Sequence, residues 1–177
     1  MKKISLLIAI VSSVAFSQLR VGVDLSREMD MEIKLMGLEM SETDKAEGMG
    51  LTIGYEKMLL LGMIGAGAEY NLSMGDEDGP DPFAFAYGVV KVPVGFPMVR
   101  GIVRVGTTLG HSEGVKGAGS YGFGLRVKPP IQPFGLEAHY TIHNIDPNVE
   151  DLDDMMGMDV STSASMKYFN ITMTYSF

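Results

Sequence analysis

The residues of this chain that could do chemistry are its ionisable side chains, and they occur in two settings. Acids are concentrated in polar stretches without a clear period, whereas most arginines stand singly in stretches where apolar and polar residues alternate. Because arginine stays charged and its planar fork binds carboxylates, we predict an ion-pair network at the polar positions of the alternating stretches. Four acids and four arginines occupy those positions: Arg20, Asp24, Glu56, Glu69, Arg100, Arg104, Arg126 and Glu137. Arg27 is the one arginine that falls outside this set.

The densest group of acids could hold a divalent cation. Asp151, Asp153, Asp154 and Asp159 lie close together in sequence, and carboxylate oxygens are the ligands that calcium prefers. Their spacing does not match the twelve-residue loop of helix–loop–helix calcium sites. A solvated acidic loop is the plainer interpretation, so we predict no cofactor and keep these four aspartates as candidate cation ligands.

The sequence gives little support to catalysis. His139 and His143 share one phase of an alternating stretch, but four residues span about 13 Å of a strand, too far for one metal ion. His111 is followed by Ser112 and Glu113, yet neighbours in sequence do not make a catalytic triad. We therefore predict that the protein is not an enzyme.

The elements that must position these charges are β-strands. In the last ten residues, Phe169, Ile171, Met173, Tyr175 and Phe177 alternate strictly with polar residues. A period of two predicts a strand with one apolar and one polar face. Eight such strands are predicted, close to the roughly 9–11 residues that a tilted membrane strand needs: 18–26, 48–57, 60–72, 83–92, 98–109, 118–128, 134–143 and 168–177.

The distribution of charge predicts which face points inward. On a soluble sandwich the charged face would meet water, and lysine should be frequent there, but the polar phase is nearly free of lysine. A charged interior and an apolar exterior instead favour a membrane barrel, and eight strands are just wide enough for side chains to fill the lumen. With apolar residues outside, Phe83, Phe85 and Tyr87 are predicted to point outward. Lys57 and Lys91 are predicted to lie at one end of the outer face.

The connections between the predicted strands alternate between long and short. Short turns lie near residues 58, 95 and 131, and a barrel with short turns at one end and long loops at the other is typical of the bacterial outer membrane. The predicted long loops are residues 27–47, 73–82, 111–117 and 144–163, and together they carry a net charge of −14. Loops this acidic repel nucleic acid and favour cations or basic partners.

The amino terminus predicts a secretory signal peptide over residues 1–17. Lys2 and Lys3 precede an apolar stretch that is followed by the cleavage sequence Ala15-Phe16-Ser17. The apolar stretch is shorter than the roughly 20 residues that a membrane-spanning helix needs. The mature chain would be residues 18–177, one domain without cysteine.

With its signal sequence, eight alternating stretches and terminal Phe177, the chain resembles the small eight-stranded outer-membrane barrels of the OmpA/OmpX type. The resemblance covers the whole predicted mature chain and is one of architecture. It implies an all-β fold, an eight-stranded antiparallel up-and-down transmembrane β-barrel, in the bacterial outer membrane. In that family the aromatic end, here Tyr175 and Phe177, looks like the signal read by the barrel-assembly machinery. The periplasmic domain that many members add is expected to be absent, because the chain ends with the last strand.

Fold alone does not give function, and this family includes structural, adhesive, pore-forming and enzymatic members. We expect a structural or surface-interaction barrel with a charge-filled lumen, whose acidic loops meet divalent cations or another envelope protein. A narrow pore or small-solute channel is the alternative, and an outer-membrane enzyme is the second alternative. Outer-membrane lipid and the assembly machinery are expected partners, and nucleic acid is not.

Overall fold

A computed structural model describes residues 17–35, 38–45, 49–59, 62–74, 82–109, 115–147 and 160–177. In these segments no helix is long and apolar enough to cross a membrane. The described residues form nine strands: β1 (Ser17–Leu35), β2 (Leu38–Lys45), β3 (Met49–Leu59), β4 (Ile64–Met74), β5 (Phe83–Val94), β6 (Phe96–Leu109), β7 (Val115–Val127), β8 (Phe134–Pro147) and β9 (Val160–Ser176).

Eight of the described strands close into a barrel. They pair antiparallel in the order β1-β3-β4-β5-β6-β7-β8-β9, and β1 also pairs with β9, which completes the ring. β2 stands outside this ring, beside the upper half of β1. The eight-stranded antiparallel up-and-down barrel predicted from the sequence is therefore confirmed for the described residues.

The first strand is much longer than the sequence predicts. Residues 27–47 are expected to form a loop, but β1 continues to Leu35 and folds back as β2, with Ile33 opposite Met40. A bulge shifts the pairing of β1 with β9 between Asp24 and Ser26. A bulge inserts one unpaired residue and reverses the side-chain phase, so the strand beyond it no longer continues the alternation that precedes it.

Strands also extend into the other predicted loops. β4 ends at Met74, β7 begins at Val115, β8 runs to Pro147 and β9 begins at Val160. The long-loop end of the barrel therefore carries more regular structure than a period-two reading of the sequence predicts. The predicted signal peptide lies outside the described residues except for Ser17, which begins β1.

Apolar side chains cover the outside of the barrel and charged side chains fill its inside. Phe123 and Met173 are each 56% exposed, whereas Arg20 and Glu137 are 0% exposed. Burying charge while exposing aromatic and aliphatic side chains is the reverse of a soluble protein. It is the arrangement of an outer-membrane barrel, whose outward face meets lipid.

β5 is the strand whose predicted faces are wrong. Phe83, Phe85, Tyr87 and Lys91 point into the lumen and are buried, although the sequence analysis directs them outward. Both phases of this strand are apolar, so hydrophobicity does not choose between them. Small residues on the neighbouring strands make room for the rings: a Cβ at Gly67 would lie 2.8 Å from the Tyr87 ring.

The short-turn end of the barrel also holds both ends of the described chain. The Phe177 amide donates to the Ser17 carbonyl over 3.1 Å, which ties β9 to β1. Outside, the Phe134 and Tyr175 ring centroids lie 5.2 Å apart and those of Tyr55 and Phe177 6.4 Å apart. This belt of exposed aromatic side chains is typical of the membrane–water interface.

Candidate functional site

The candidate site is the barrel lumen, where inward positions of the strands bring buried ionisable groups together. In the described part of the chain, five cationic side chains are buried with four carboxylates, so the lumen holds one more cation than anion. The cations are Arg20, Arg27, Lys91, Arg104 and Arg126, and the carboxylates are Asp24, Glu56, Glu69 and Glu137.

Glu137 is the centre of the lower cluster, toward the short-turn end. Its Oε1 lies 2.8 Å from Lys91 Nζ and 3.4 Å from Arg126 Nε, and its Oε2 lies 2.5 Å from Arg20 Nη1. The carboxylate of Glu56 shares two of these cations, at 3.2 Å from Arg20 Nη1 and 2.5 Å from Lys91 Nζ. Two carboxylates are thus bridged by two cations, which offsets the cost of taking all four charges out of water.

Arg104 forms the middle of the network. Its Nη1 lies 2.8 and 2.9 Å from the two oxygens of Glu69, and its Nη2 donates to Thr141 Oγ1 over 2.7 Å. Its guanidinium also lies over the rings of Phe85 and Tyr87, 5.7 and 5.1 Å from their centroids. Ion pair and cation–π contact together fix this side chain across the lumen.

The upper cluster is built on Asp24. Arg27 Nη2 donates to Asp24 Oδ2 over 2.7 Å, and Asn170 Nδ2 donates to Asp24 Oδ1 over 2.6 Å. Asn170 Nδ2 also lies 3.0 Å from Thr52 Oγ1, which in turn donates to Asn71 over 2.7 Å. These bonds join β9, β1, β3 and β4, which are consecutive strands of the barrel.

An aromatic layer fills the space between the clusters. The His143 ring meets Phe83, Phe85 and Tyr168 edge to face, with centroids 5.0, 4.8 and 5.4 Å apart. Phe85 stacks on Tyr87 at 4.9 Å. Such ring pairs pack closely, so this level of the lumen is filled by side chains from β5, β8 and β9.

The structure brings seven of the eight predicted lumen charges into the buried interior. The exception is Arg100, which is half-buried at the short-turn end and donates to the Gly62 carbonyl over 2.7 Å. Among the described residues it makes no ion pair with the acids of the network.

Two charges of the network, Arg27 and Lys91, are not predicted from the sequence. Arg27 is assigned to a loop, but the bulge that precedes it turns its side chain inward to Asp24. Lys91 is assigned to the outer face, but it pairs with Glu56 and Glu137. The signal for Lys91 was present: it shares a phase with the β5 aromatic residues, and facing outward it would place an ammonium group in lipid.

The remaining candidates lie elsewhere. The aspartates proposed as cation ligands, Asp151, Asp153, Asp154 and Asp159, fall outside the described residues, as does the His111-Ser112-Glu113 group. Within the described segments, no cluster of three or more acidic, histidine or cysteine side chains could hold a metal ion. Tyr175 and Phe177, the predicted assembly signal, are exposed on the outer surface at the short-turn end.

Two solved structures are similar to this chain in fold. Ail, the attachment invasion locus protein of Yersinia pestis in complex with the heparin analogue sucrose octasulfate, is 12% identical with a TM-score of 0.36, and the match covers 90% of this chain and 99% of Ail. The outer membrane protein OprG of Pseudomonas aeruginosa is 13% identical with a TM-score of 0.39, and the match covers 94% of this chain and 98% of OprG. No protein-family model and no curated protein matches the sequence.

Proposed function

We propose that this protein is a structural or surface-interaction barrel of the bacterial outer membrane, with a lumen closed to solutes. The burial of the ion-pair network carries the proposal. A water-filled channel leaves its lining side chains accessible to solvent, but Arg20, Lys91 and Glu137 are 0% exposed although they belong to three different strands. Buried charges that pair with each other across the lumen support a closed barrel rather than an open channel.

The part of the barrel that meets other molecules is the extension formed by β2 and the adjoining ends of β1 and β9. β1 has 19 residues and β9 has 17, which is more than the roughly 9–11 residues that cross the membrane. Glu28, Asp30 and Glu32 alternate along one face of β1, and each pairs with a lysine, Lys45, Lys167 and Lys34 in that order. These pairs nearly neutralise that face. Glu42 and Asp44 of β2 lie on the other face, opposite Met31 and Met29, where they favour cations or a basic segment of another envelope protein.

This second face of the extension combines the two acids with exposed apolar side chains. Met31 and Ile33 are exposed there, and Met40, directly opposite Ile33, is 71% exposed. Methionine side chains adapt their shape to a partner. Exposed methionine and isoleucine beside two acids fit a protein partner better than a free ion, and no enzymatic activity is proposed.

Solute efflux from proteoliposomes tests the closed lumen. We expect vesicles that contain the folded protein to retain small ions and sugars as well as protein-free vesicles do. Rapid efflux of small ions that scales with protein content would overturn the proposal and support the narrow-pore alternative, in which the contacts of Glu137 must part.

A further inference from the structure

Beneath the network, the short-turn end of the barrel holds a cavity of about 400 Å³. Three of its described lining residues are cationic, Arg100, Arg126 and Lys128, and none is an acid. Ser176 and Gln18 add polar groups, and Pro97, Pro129 and Pro130 complete the lining. Because proline restricts the backbone, the segments next to these cations are comparatively rigid.

The two arginines of this cavity stand directly opposite each other on neighbouring strands. Arg100 of β6 is the register partner of Arg126 of β7. Side chains of a directly opposed antiparallel pair have Cβ atoms about 4.5–5.5 Å apart, and like charges in such a pair destabilise the sheet. An anion between them would turn this repulsion into two attractions.

The positive charge of the cavity is largely uncompensated by protein groups. Arg100 donates to a backbone carbonyl, and Lys128 Nζ donates to the Ser176 hydroxyl over 2.7 Å. Arg126 is buried, yet its Nε has no hydrogen-bond partner among the described residues, and Nη2 reaches hydroxyls at 3.4 and 3.5 Å. The nearest acid, Glu137, lies 3.4 Å from Arg126 Nε and already contacts Arg20 and Lys91.

The pKa of Lys128 reflects the same excess of positive charge. It follows the end of β7, outside the membrane-spanning segment. Burial lowers its pKa, and the neighbouring cations Arg126, Arg100 and Lys91 lower it further. A bound anion would have the opposite effect and would raise this pKa.

We propose that this cavity is an oxyanion site that binds the phosphate group of a small solute or of a lipid headgroup at the periplasmic end of the barrel. Guanidinium groups bind phosphate through paired N–H donors, and lysine adds a compact positive charge. In barrels of this class the short turns face the periplasm. The cavity is larger than inorganic phosphate requires, so an organic phosphate would also fit.

Calorimetric titration of the folded protein with inorganic phosphate, in a phosphate-free nonionic detergent, tests the site. The variant Arg100→Gln/Lys128→Gln leaves Arg126 and the ion pairs of Glu137 in place. We expect it to weaken phosphate binding at least tenfold. Lys57→Gln, which removes an exposed lysine from the outer face near the same end, should change the affinity less than twofold. Phosphorus NMR line broadening, abolished by the double variant, is the second readout.

A matched titration with a soluble short-chain phosphatidic acid distinguishes the source of the phosphate. Tighter binding of the lipid would assign the site to a headgroup, and tighter binding of inorganic phosphate would assign it to a free solute. No binding of either compound at millimolar concentration, or equal binding by the wild type and the double variant, would overturn the proposal.

Discussion

At the scale of single residues, the lumen shows why buried charges are acceptable in this protein. Each buried carboxylate of the lower cluster touches more than one cation, and Lys91 touches two carboxylates. A buried pair adds little net stability when intact, but removal of one partner leaves the other charge uncompensated. The individual side chains of this network are therefore far less replaceable than charges on the outer face.

Two lysines near the short-turn end provide a matched comparison. We expect Lys91→Met to lower the free energy of unfolding by about 3–5 kcal/mol, because it leaves Glu56 and Glu137 short of a buried partner. Lys57 is exposed on the outer face, and Lys57→Met should change stability by less than about 0.5 kcal/mol. Guanidinium unfolding in lipid vesicles measures both, and equal effects of the two substitutions would contradict the lumen assignment of Lys91.

The contact between Lys91 and Glu137 should also appear as an energetic coupling. Residues in one ion-pair network couple by about 0.5–3 kcal/mol in double-mutant cycles. We therefore expect Lys91→Met combined with Glu137→Gln to cost less than the sum of the two single substitutions. Additive effects, measured by the same unfolding titration, would show that the two side chains do not meet.

The surface pair of Asp30 and Lys167 above the barrel should stabilise the protein less as the pH falls. The hydrogen bond from Lys167 lowers the pKa of Asp30, and a second hydrogen bond from Thr43 lowers it further. Since the folded-state pKa is depressed, the contribution of Asp30 to stability is present above the unfolded pKa of about 3.9 and is lost as pH falls below it.

The substitution Lys167→Met tests this pair. We expect the Asp30 carboxyl of the variant to titrate at higher pH than in the wild type, as followed by NMR, while Lys34→Met leaves it unchanged because Lys34 pairs with Glu32. An unchanged Asp30 titration in Lys167→Met would mean that the pair does not form in solution.

At the scale of elements, the sequence predicts strands well where one phase is polar and poorly where both are apolar. β7 and β9 alternate clearly, and their predicted faces are the observed ones. β5 has aromatic residues on one phase and Ala84 and Ala86 on the other, so no contrast in polarity fixes its orientation. Its inward phase is determined by contacts from other strands, which a single stretch of sequence does not contain.

The sequence predicts that an ion-pair network fills the lumen, but it does not identify every residue of that network. A polar phase on strands of a narrow barrel predicts charges inside, and Arg20, Arg104 and Glu137 are there. The inward position of Arg27 depends on a bulge, and the position of Arg100 depends on where β6 begins after the turn. Both are decided by pairing register, which alternation alone does not specify.

The orientation of β5 can be tested with two adjacent valines. Val90 is 42% exposed and Val89 is 2% exposed. We expect a spin label on Val90→Cys to collide with molecular oxygen dissolved in the bilayer, and a label on Val89→Cys to be shielded inside the barrel. The reverse order of oxygen accessibilities would restore the orientation predicted from the sequence alone.

At the scale of the whole molecule, the protein consists of an extension above the membrane, an apolar belt that faces lipid and a filled interior. Above the membrane, the extension of β1, β2 and β9 carries one face of paired charges and one face that combines apolar side chains with acids, and an apolar belt surrounds the spanning part. Inside the belt, ion pairs and aromatic rings join opposite walls of the lumen, as with Arg104 between Glu69 of β4 and Thr141 of β8. Such contacts across the interior support the proposal of a closed lumen.

Single-channel recording of the wild-type protein in planar bilayers tests the central claim most directly, because a lumen filled both by the ion pairs of Glu137 and by the aromatic layer passes no ions. We expect no conductance steps from the wild type, with its insertion confirmed by heat-dependent gel mobility. Stable steps of uniform size from the wild-type protein would contradict the claim of a closed lumen.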